Sequence, residues 1–146
     1  MDTSASKKEA ARFAKFLVVG VLNTLVTLAV IFILHKAAGV GEMLSNLVGY
    51  VAGLVISFLW NRRWVFRSSG PAKAEAARFA LGFGLCYGIQ ALFLWGTMRF
   101  SPLAGFETEI AGIAIDGYAV ATVLGMALYS VVNFIYNRLV AFRPAD

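Results

Sequence analysis

One cysteine and one histidine are all the thiol and imidazole chemistry in this sequence of 146 residues. Cys86 has no second thiol to pair with, so there is no disulfide framework. His35 alone gives no ligand set for a metal. Charge is also scarce: 14% of residues are charged while 60% are hydrophobic, against roughly 25% charged in ordinary soluble domains. Such a chain cannot clothe a water-facing surface. The sequence also lacks a nucleophile with its base, a Gly-rich phosphate loop and carboxylates at catalytic spacing, so it does not read as an enzyme and no cofactor is expected.

What the chain has instead is length of apolar run. Stretches 16–34, 43–61, 79–98 and 117–137 carry no Asp, Glu, Lys or Arg. Each is near the roughly 20 residues that cross a hydrocarbon core about 30 Å thick. With their flanks, the spans are expected at about 14–36, 43–62, 77–99 and 115–138, in one four-helix transmembrane domain covering 1–146, with 1–11 as an N-terminal arm. The first run is too long for a cleavable signal and is expected to stay in the protein.

The cations set an orientation. Eleven of the thirteen Lys and Arg residues lie in the N-terminal arm, the loop between spans two and three, and the C-terminal tail. Only Lys36 and Arg99 lie in the other two loops, beside Glu42, Glu107, Glu109 and Asp116. The positive-inside rule then places both termini and the middle loop in the cytoplasm. The net charge of +5 flanks membrane spans and does not form a soluble basic patch, which points to anionic lipid headgroups and away from nucleic acid.

The chain also repeats itself. Asn61-Arg62-Arg63-Trp64-Val65-Phe66-Arg67 closes span two, and Asn137-Arg138-Leu139-Val140-Ala141-Phe142-Arg143 closes span four. At the same offset Gly49 matches Gly125, Ser57 matches Asn133, and Trp60 matches Tyr136. Arg12-Phe13-Ala14 resembles Arg78-Phe79-Ala80 before span three. The fold class that follows is an all-α integral membrane protein whose four transmembrane helices form two parallel two-helix repeats.

Residues four apart share a helix face. Gly49, Gly53, Ser57 and Asn61 therefore make one stripe, and Gly125, Tyr129, Asn133 and Asn137 its counterpart. Gly84 with Gly88, and Gly20 with Thr24, show the same spacing, which suits close packing of membrane helices. Asn23 and Gln90 are the polar residues deepest in spans one and three. Within the spans there is no intramembrane carboxylate, which disfavours proton-coupled export of cationic drugs. At the cytoplasmic ends, Arg62, Arg63 and Arg138 offer guanidinium groups suited to phosphate. Asn61 and Asn137 are expected to add neutral donors, and Trp60 and Trp64 to supply interfacial aromatics. Plain snorkelling anchors are the alternative for these residues.

The Arg12, Phe16, Gly20, Asn23-Thr24 opening and the paired Asn-Arg-x-x-x-Phe-Arg endings resemble the GtrA-like family of small bacterial membrane proteins over nearly the whole chain. The resemblance implies a role in cell-surface polysaccharide synthesis at the bacterial cytoplasmic membrane. There the chain would flip a polyprenyl-phosphate-linked sugar or polyprenyl phosphate. A non-transporting adaptor that holds a membrane glycosyltransferase is the alternative. The family motif falls on Asn23 and Thr24, on Asn61, Arg62, Trp64 and Phe66, and on Asn137, Arg138 and Phe142. The second copy departs from it, with Leu139 for the second arginine and Ile89-Gln90 where the first copy has Asn23-Thr24. The expected substrate-binding set is Asn23, Thr24, Ser57, Asn61, Arg62, Arg63, Trp64, Asn133, Asn137 and Arg138. Four short spans leave little room for an enclosed path, so a homo-oligomer, first a dimer, is expected.

Overall fold

The structure is a computed structural model that describes residues 3–110 and 112–143. Backbone polar groups in hydrocarbon must bond within their own segment, and the four apolar runs accordingly form helices. They are α1 (Thr3–Phe32), α2 (Glu42–Trp60), α3 (Ala72–Phe100) and α4 (Gly117–Tyr136). All four are long and apolar enough to cross a membrane. Their surfaces say the same: Val21, Leu25 and Leu28 on α1 and Val123 on α4 are all more than half exposed. An aliphatic coat of that kind belongs in lipid.

The chain divides into two compact units, one of residues 1–72 with 142–146 and one of residues 73–141. In the first unit, α1 and α2 form a hairpin. The α2 glycines make it close. A Cβ on Gly53 would meet Thr27 Oγ1 and Asn23 Oδ1, and one on Gly49 would meet Ile31 and the Thr27 carbonyl. The Gly49/Gly53 stripe is thus seated on an Asn23, Thr27, Ile31 stripe of α1, each set at four-residue spacing.

Both helices of this unit end alike. A π turn at Ile33–Ala37 extends α1 and one at Asn61–Val65 extends α2. Each is followed by a residue with positive φ, Gly39 at 68° and Arg67 at 51°. Beyond each lies a bond that closes back on the helix end, Val40 N to Leu34 O and Ser68 N to Arg62 O, both at 2.9 Å. This is a left-handed C-terminal cap that satisfies otherwise orphaned carbonyls. His35 Nδ1 lies 3.1 Å from the Val40 carbonyl, so the lone histidine donates to the loop beside its own cap.

In the second unit, Gly125 of α4 lies against Gln90 and Phe93 of α3, and Gly82 of α3 leaves room only for the Tyr136 ring. Tyr136 donates its hydroxyl to the Arg78 carbonyl at 3.1 Å. A third π turn, Asn137–Ala141, extends α4.

One expectation needs correction. Gly20, Gly84 and Gly88 have open space where a Cβ would stand, so their spacing does not mark a contact within the chain. The segment 101–116, on which the sequence is silent, has structure of its own. A short 3-10 turn, Pro102–Gly105, leads into an antiparallel hairpin of β1 (Glu107–Ile110) and β2 (Ile113–Asp116). The spans are helical throughout, and among the described residues this hairpin is the one β element.

Candidate functional site

The strongest feature of the repeat is local. Both π turns that end α2 and α4 begin on the asparagine of the Asn-Arg pair. A π turn inserts one residue into the helical ladder and is often found where a helix serves a function. It widens the last turn and leaves the Asn facing the preceding turn of its own helix.

In the first unit Asn61 is 1% exposed. Its Nδ2 donates to the Ser57 carbonyl at 2.8 Å and approaches Ser57 Oγ at 3.3 Å. Because a carbonyl only accepts, the nitrogen must be on that side and the amide orientation is fixed. Asn61 Oδ1 is left buried with no hydrogen-bond partner. In the second unit Asn137 is fully buried. Its Nδ2 donates to Asn133 Oδ1 at 2.9 Å, and Asn133 Nδ2 donates in turn to the Tyr129 hydroxyl at 3.4 Å. Asn137 Oδ1 likewise has no partner.

The expected role of these two residues therefore changes. Each already commits its amide nitrogen to its own helix. The atom each one leaves free is an acceptor, and an unpaired buried acceptor carries a desolvation cost of about 1–3 kcal/mol. The chemistry that would relieve it is a donor: a hydroxyl, a water or a cation.

The arginines divide in two. Arg62 donates through Nη2 to the Gly70 carbonyl at 2.8 Å, so it ties the middle loop to the end of α2. Arg63 and Arg138 are exposed. Trp64 sits edge-on to Trp60 with centroids 6.0 Å apart. Lys15 of α1 places its Nζ 5.4 Å from the Trp64 ring centre, a cation–π contact that sequence reading missed. Ser57, Asn61, Arg62, Arg63 and Trp64 are thus gathered at one end of the first unit. Asn133, Asn137 and Arg138 are gathered at the corresponding end of the second.

Two expected residues stand apart. Asn23 faces Gly53, two helical turns from Asn61, or roughly 12 Å at 1.5 Å per residue; its Oδ1 is also buried and unpartnered. Thr24 is exposed and its hydroxyl bonds to the Gly20 carbonyl of its own helix at 3.1 Å. It does not join Asn23. Glu75, in the first turn of α3, is fully buried. Its signal was its position as the one carboxylate among the middle-loop cations, where a helix N-terminus favours negative charge.

A helical, multi-pass membrane protein built from two hairpins, each closed by an Asn-Arg π turn, is the class these features define. Residues 15–142 match the GtrA/DPMS transmembrane domain, and the chain belongs to that family. It is similar to the uncharacterized membrane protein YngA of Bacillus subtilis (strain 168), 31% identical over 137 residues that cover 93% of this chain and 82% of that one. It is also similar to the bactoprenol-linked glucose translocase of Shigella phage SfV, 26% identical over 137 residues, 91% of this chain and 96% of the phage protein. A prophage bactoprenol-linked glucose translocase homolog of Escherichia coli (strain K12) is 25% identical over 140 residues, with the same shares covered.

Proposed function

We propose that the chain translocates a polyprenyl-phosphate-linked sugar, or polyprenyl phosphate itself, across the bacterial cytoplasmic membrane. The observation that carries this reading is the duplicated ending. Each unit offers a buried, unpaired asparagine oxygen beside an exposed arginine, one group suited to a sugar hydroxyl and the other to a phosphate. Relatives named as bactoprenol-linked glucose translocases over nearly their whole length support it.

In this reading each unit has its own phosphate contact at headgroup depth, Arg63 in the first, where Arg62 keeps the loop in place, and Arg138 in the second. Within the first unit Asn61 accepts from a sugar hydroxyl while Trp60 and Trp64 pack on its ring, and within the second unit Asn137 offers the same acceptor. The prenyl chain stays in the bilayer. A phosphate crossing hydrocarbon unaided would meet a barrier of at least several kcal/mol; Asn23, Ser57, Gln90 and Asn133 lie along the spans to lower it. No energy-coupling element is part of this proposal, and movement is downhill exchange. In the same reading both termini and the middle loop face the cytoplasm, which the cation distribution supports, the basic rim contacts anionic lipid, and two copies assemble to enclose the path.

The test is movement of a polyprenyl-phosphate sugar across liposomes holding the purified protein, against an Arg63→Gln, Arg138→Gln variant. Protein-dependent movement that the variant loses supports translocation. No movement above protein-free liposomes, with the lipid accessible and a glycosyltransferase still retained by the protein, would replace this reading with the adaptor.

A further inference from the structure

The hairpin 107–116 between α3 and α4 has an apolar face on which Ile110 and Ile113 are exposed and Ile115 is partly covered. Its register pairs Glu107 with Asp116, Thr108 with Ile115, Glu109 with Ala114, and Ile110 with Ile113. Side chains alternate across a strand and directly paired residues share a face. Glu107, Glu109, Ala114 and Asp116 therefore occupy one face, and Thr108, Ile110, Ile113 and Ile115 the other. The split is complete, with all three carboxylates on one side and all three isoleucines on the opposite side. Ile110 and Ile113 are 60% and 66% exposed.

Such a hairpin needs cover. A two-stranded ribbon is marginal at best in water, and one packed only on solvent loses the hydrophobic face that would hold it. Yet this one is fixed firmly at its base. Gly117 N donates to the Phe106 carbonyl at 2.7 Å, and Phe106 N to the Leu103 carbonyl at 3.0 Å. Gly117 Cα lies so close to the Leu103 carbonyl that no side chain fits there. Asp116 caps α4 by accepting from Ala119 N at 2.8 Å. The hairpin is built onto the first turn of a membrane-crossing helix, and its position relative to that helix is set.

That position names the occupant. The hairpin joins the last residues of α3 to the first of α4, at the end of the unit away from Arg78 and Arg138. Exposed aromatics mark the same level: Trp95 and Phe100 on α3 and Tyr118 on α4. Such rings collect at the boundary between headgroups and acyl chains. The apolar face thus lies at the same end of the unit as these exposed rings. Between Arg99 and Arg138 the chain has no Lys or Arg, so nothing in this segment draws it to anionic lipid.

We infer that the hairpin is a membrane-surface element, seated on zwitterionic lipid with Ile110, Ile113 and Ile115 in the acyl boundary and Glu107, Glu109 and Asp116 in water. Amphipathic segments with this division lie in the plane of the interface. The proposal concerns the lipid contact of this end alone and stands whether or not the chain is a translocase.

Spin labels read it directly. In a Cys86→Ala background, single cysteines replace Glu107, Glu109, Ile110 or Ile113 in the full chain, reconstituted in phosphatidylcholine vesicles. Relaxation by oxygen, which partitions into lipid, is compared with relaxation by a water-soluble nickel chelate. The expected result is alternation: labels at Ile110 and Ile113 respond more to oxygen, and labels at Glu107 and Glu109 more to the chelate. Amide hydrogen exchange over 107–116 in the unlabelled protein is expected to show protection. Chelate access at all four positions, with rapid exchange in the unlabelled protein, overturns the proposal in favour of a hairpin standing in water. Isoleucine labels shielded from both reagents overturn it in favour of a protein partner, a second copy included.

Discussion

Phe66 and Phe142, the phenylalanines that hold the same place in the two Asn-Arg-x-x-x-Phe-Arg endings, stack with ring centres 5.1 Å apart and planes 16° from parallel. Phe58 adds a second ring 5.9 Å from Phe142. Aromatic pairs contribute about 0.5–1.5 kcal/mol beyond the area they bury. A double-mutant cycle of Phe66→Leu and Phe142→Leu is therefore expected to give a coupling energy in that range, read from unfolding of the purified protein. A coupling of zero would mean the stack contributes no more than its burial.

Asn61 allows folding and function to be separated. Its side-chain amide bonds to the Ser57 carbonyl, but that carbonyl also accepts from the Asn61 backbone N–H. Asn61→Leu removes the orphaned oxygen and takes from its neighbours only the long contact to Ser57 Oγ. Replacing polar groups with apolar ones of like shape is nearly neutral when nothing is left unpaired. Expected, then, is stability within about 1 kcal/mol of wild type with transport of the lipid-linked sugar lost. Unchanged transport would remove Asn61 from the binding set.

The α1–α2 contact makes a prediction about glycines that look alike in sequence. Gly53→Ala places a methyl on Thr27 Oγ1 and Asn23 Oδ1 and is expected to cost about 1–3 kcal/mol, the usual range for overpacking. Adding Thr27→Ala and Asn23→Ala should recover part of it. Gly84→Ala and Gly88→Ala, with open space around them, are expected to be neutral or slightly stabilising. Thermal unfolding in one detergent compares all of them.

That contrast shows what the sequence could carry. Four helices were legible because crossing a bilayer takes about 20 apolar residues and these runs have no substitute reading. The repeat was legible because Asn-Arg with Phe-Arg beyond it is a pattern that hydropathy alone does not produce. Spacing put Gly49 and Gly53 on one face correctly, yet the same spacing at Gly84 and Gly88 meets nothing. A face is a property of one helix, while a contact needs the partner's side chains. The π turns left no compositional mark, since one extra residue in a turn changes geometry and not residue type. Donor or acceptor at Asn61 depended on a rotamer. The hairpin was hidden because four residues of alternation, Glu-Thr-Glu-Ile and Ile-Ala-Ile-Asp, are too short a signal beside the long runs on either side.

Arg62 and Arg63, neighbours in sequence, are expected to fail differently. Arg62 holds the Gly70 carbonyl, so Arg62→Ala should loosen the middle loop and increase protease cleavage within 67–72, with transport falling as a consequence. Arg63→Gln should leave the cleavage pattern unchanged and weaken capture of polyprenyl phosphate, with a shallower salt dependence because one guanidinium–phosphate contact is gone. Identical cleavage patterns for both variants would mean the Arg62 bond does not hold the loop.

Arg67 occupies the left-handed position of a helix cap whose counterpart at the end of α1 is filled by Gly39. A side chain in that conformation costs about 1–2 kcal/mol. Glycine would relieve this but gives back part of the gain through the greater freedom of the unfolded chain, about 0.4–1 kcal/mol. Arg67→Gly is therefore expected to unfold at the same or a slightly higher temperature than wild type. If Arg67 is kept for its charge, the same variant will bind polyprenyl-phosphate vesicles more weakly while its stability holds. A variant that is no less stable and binds equally well would assign the strain to no lipid contact, and Arg67 would then have no part in holding the phosphate.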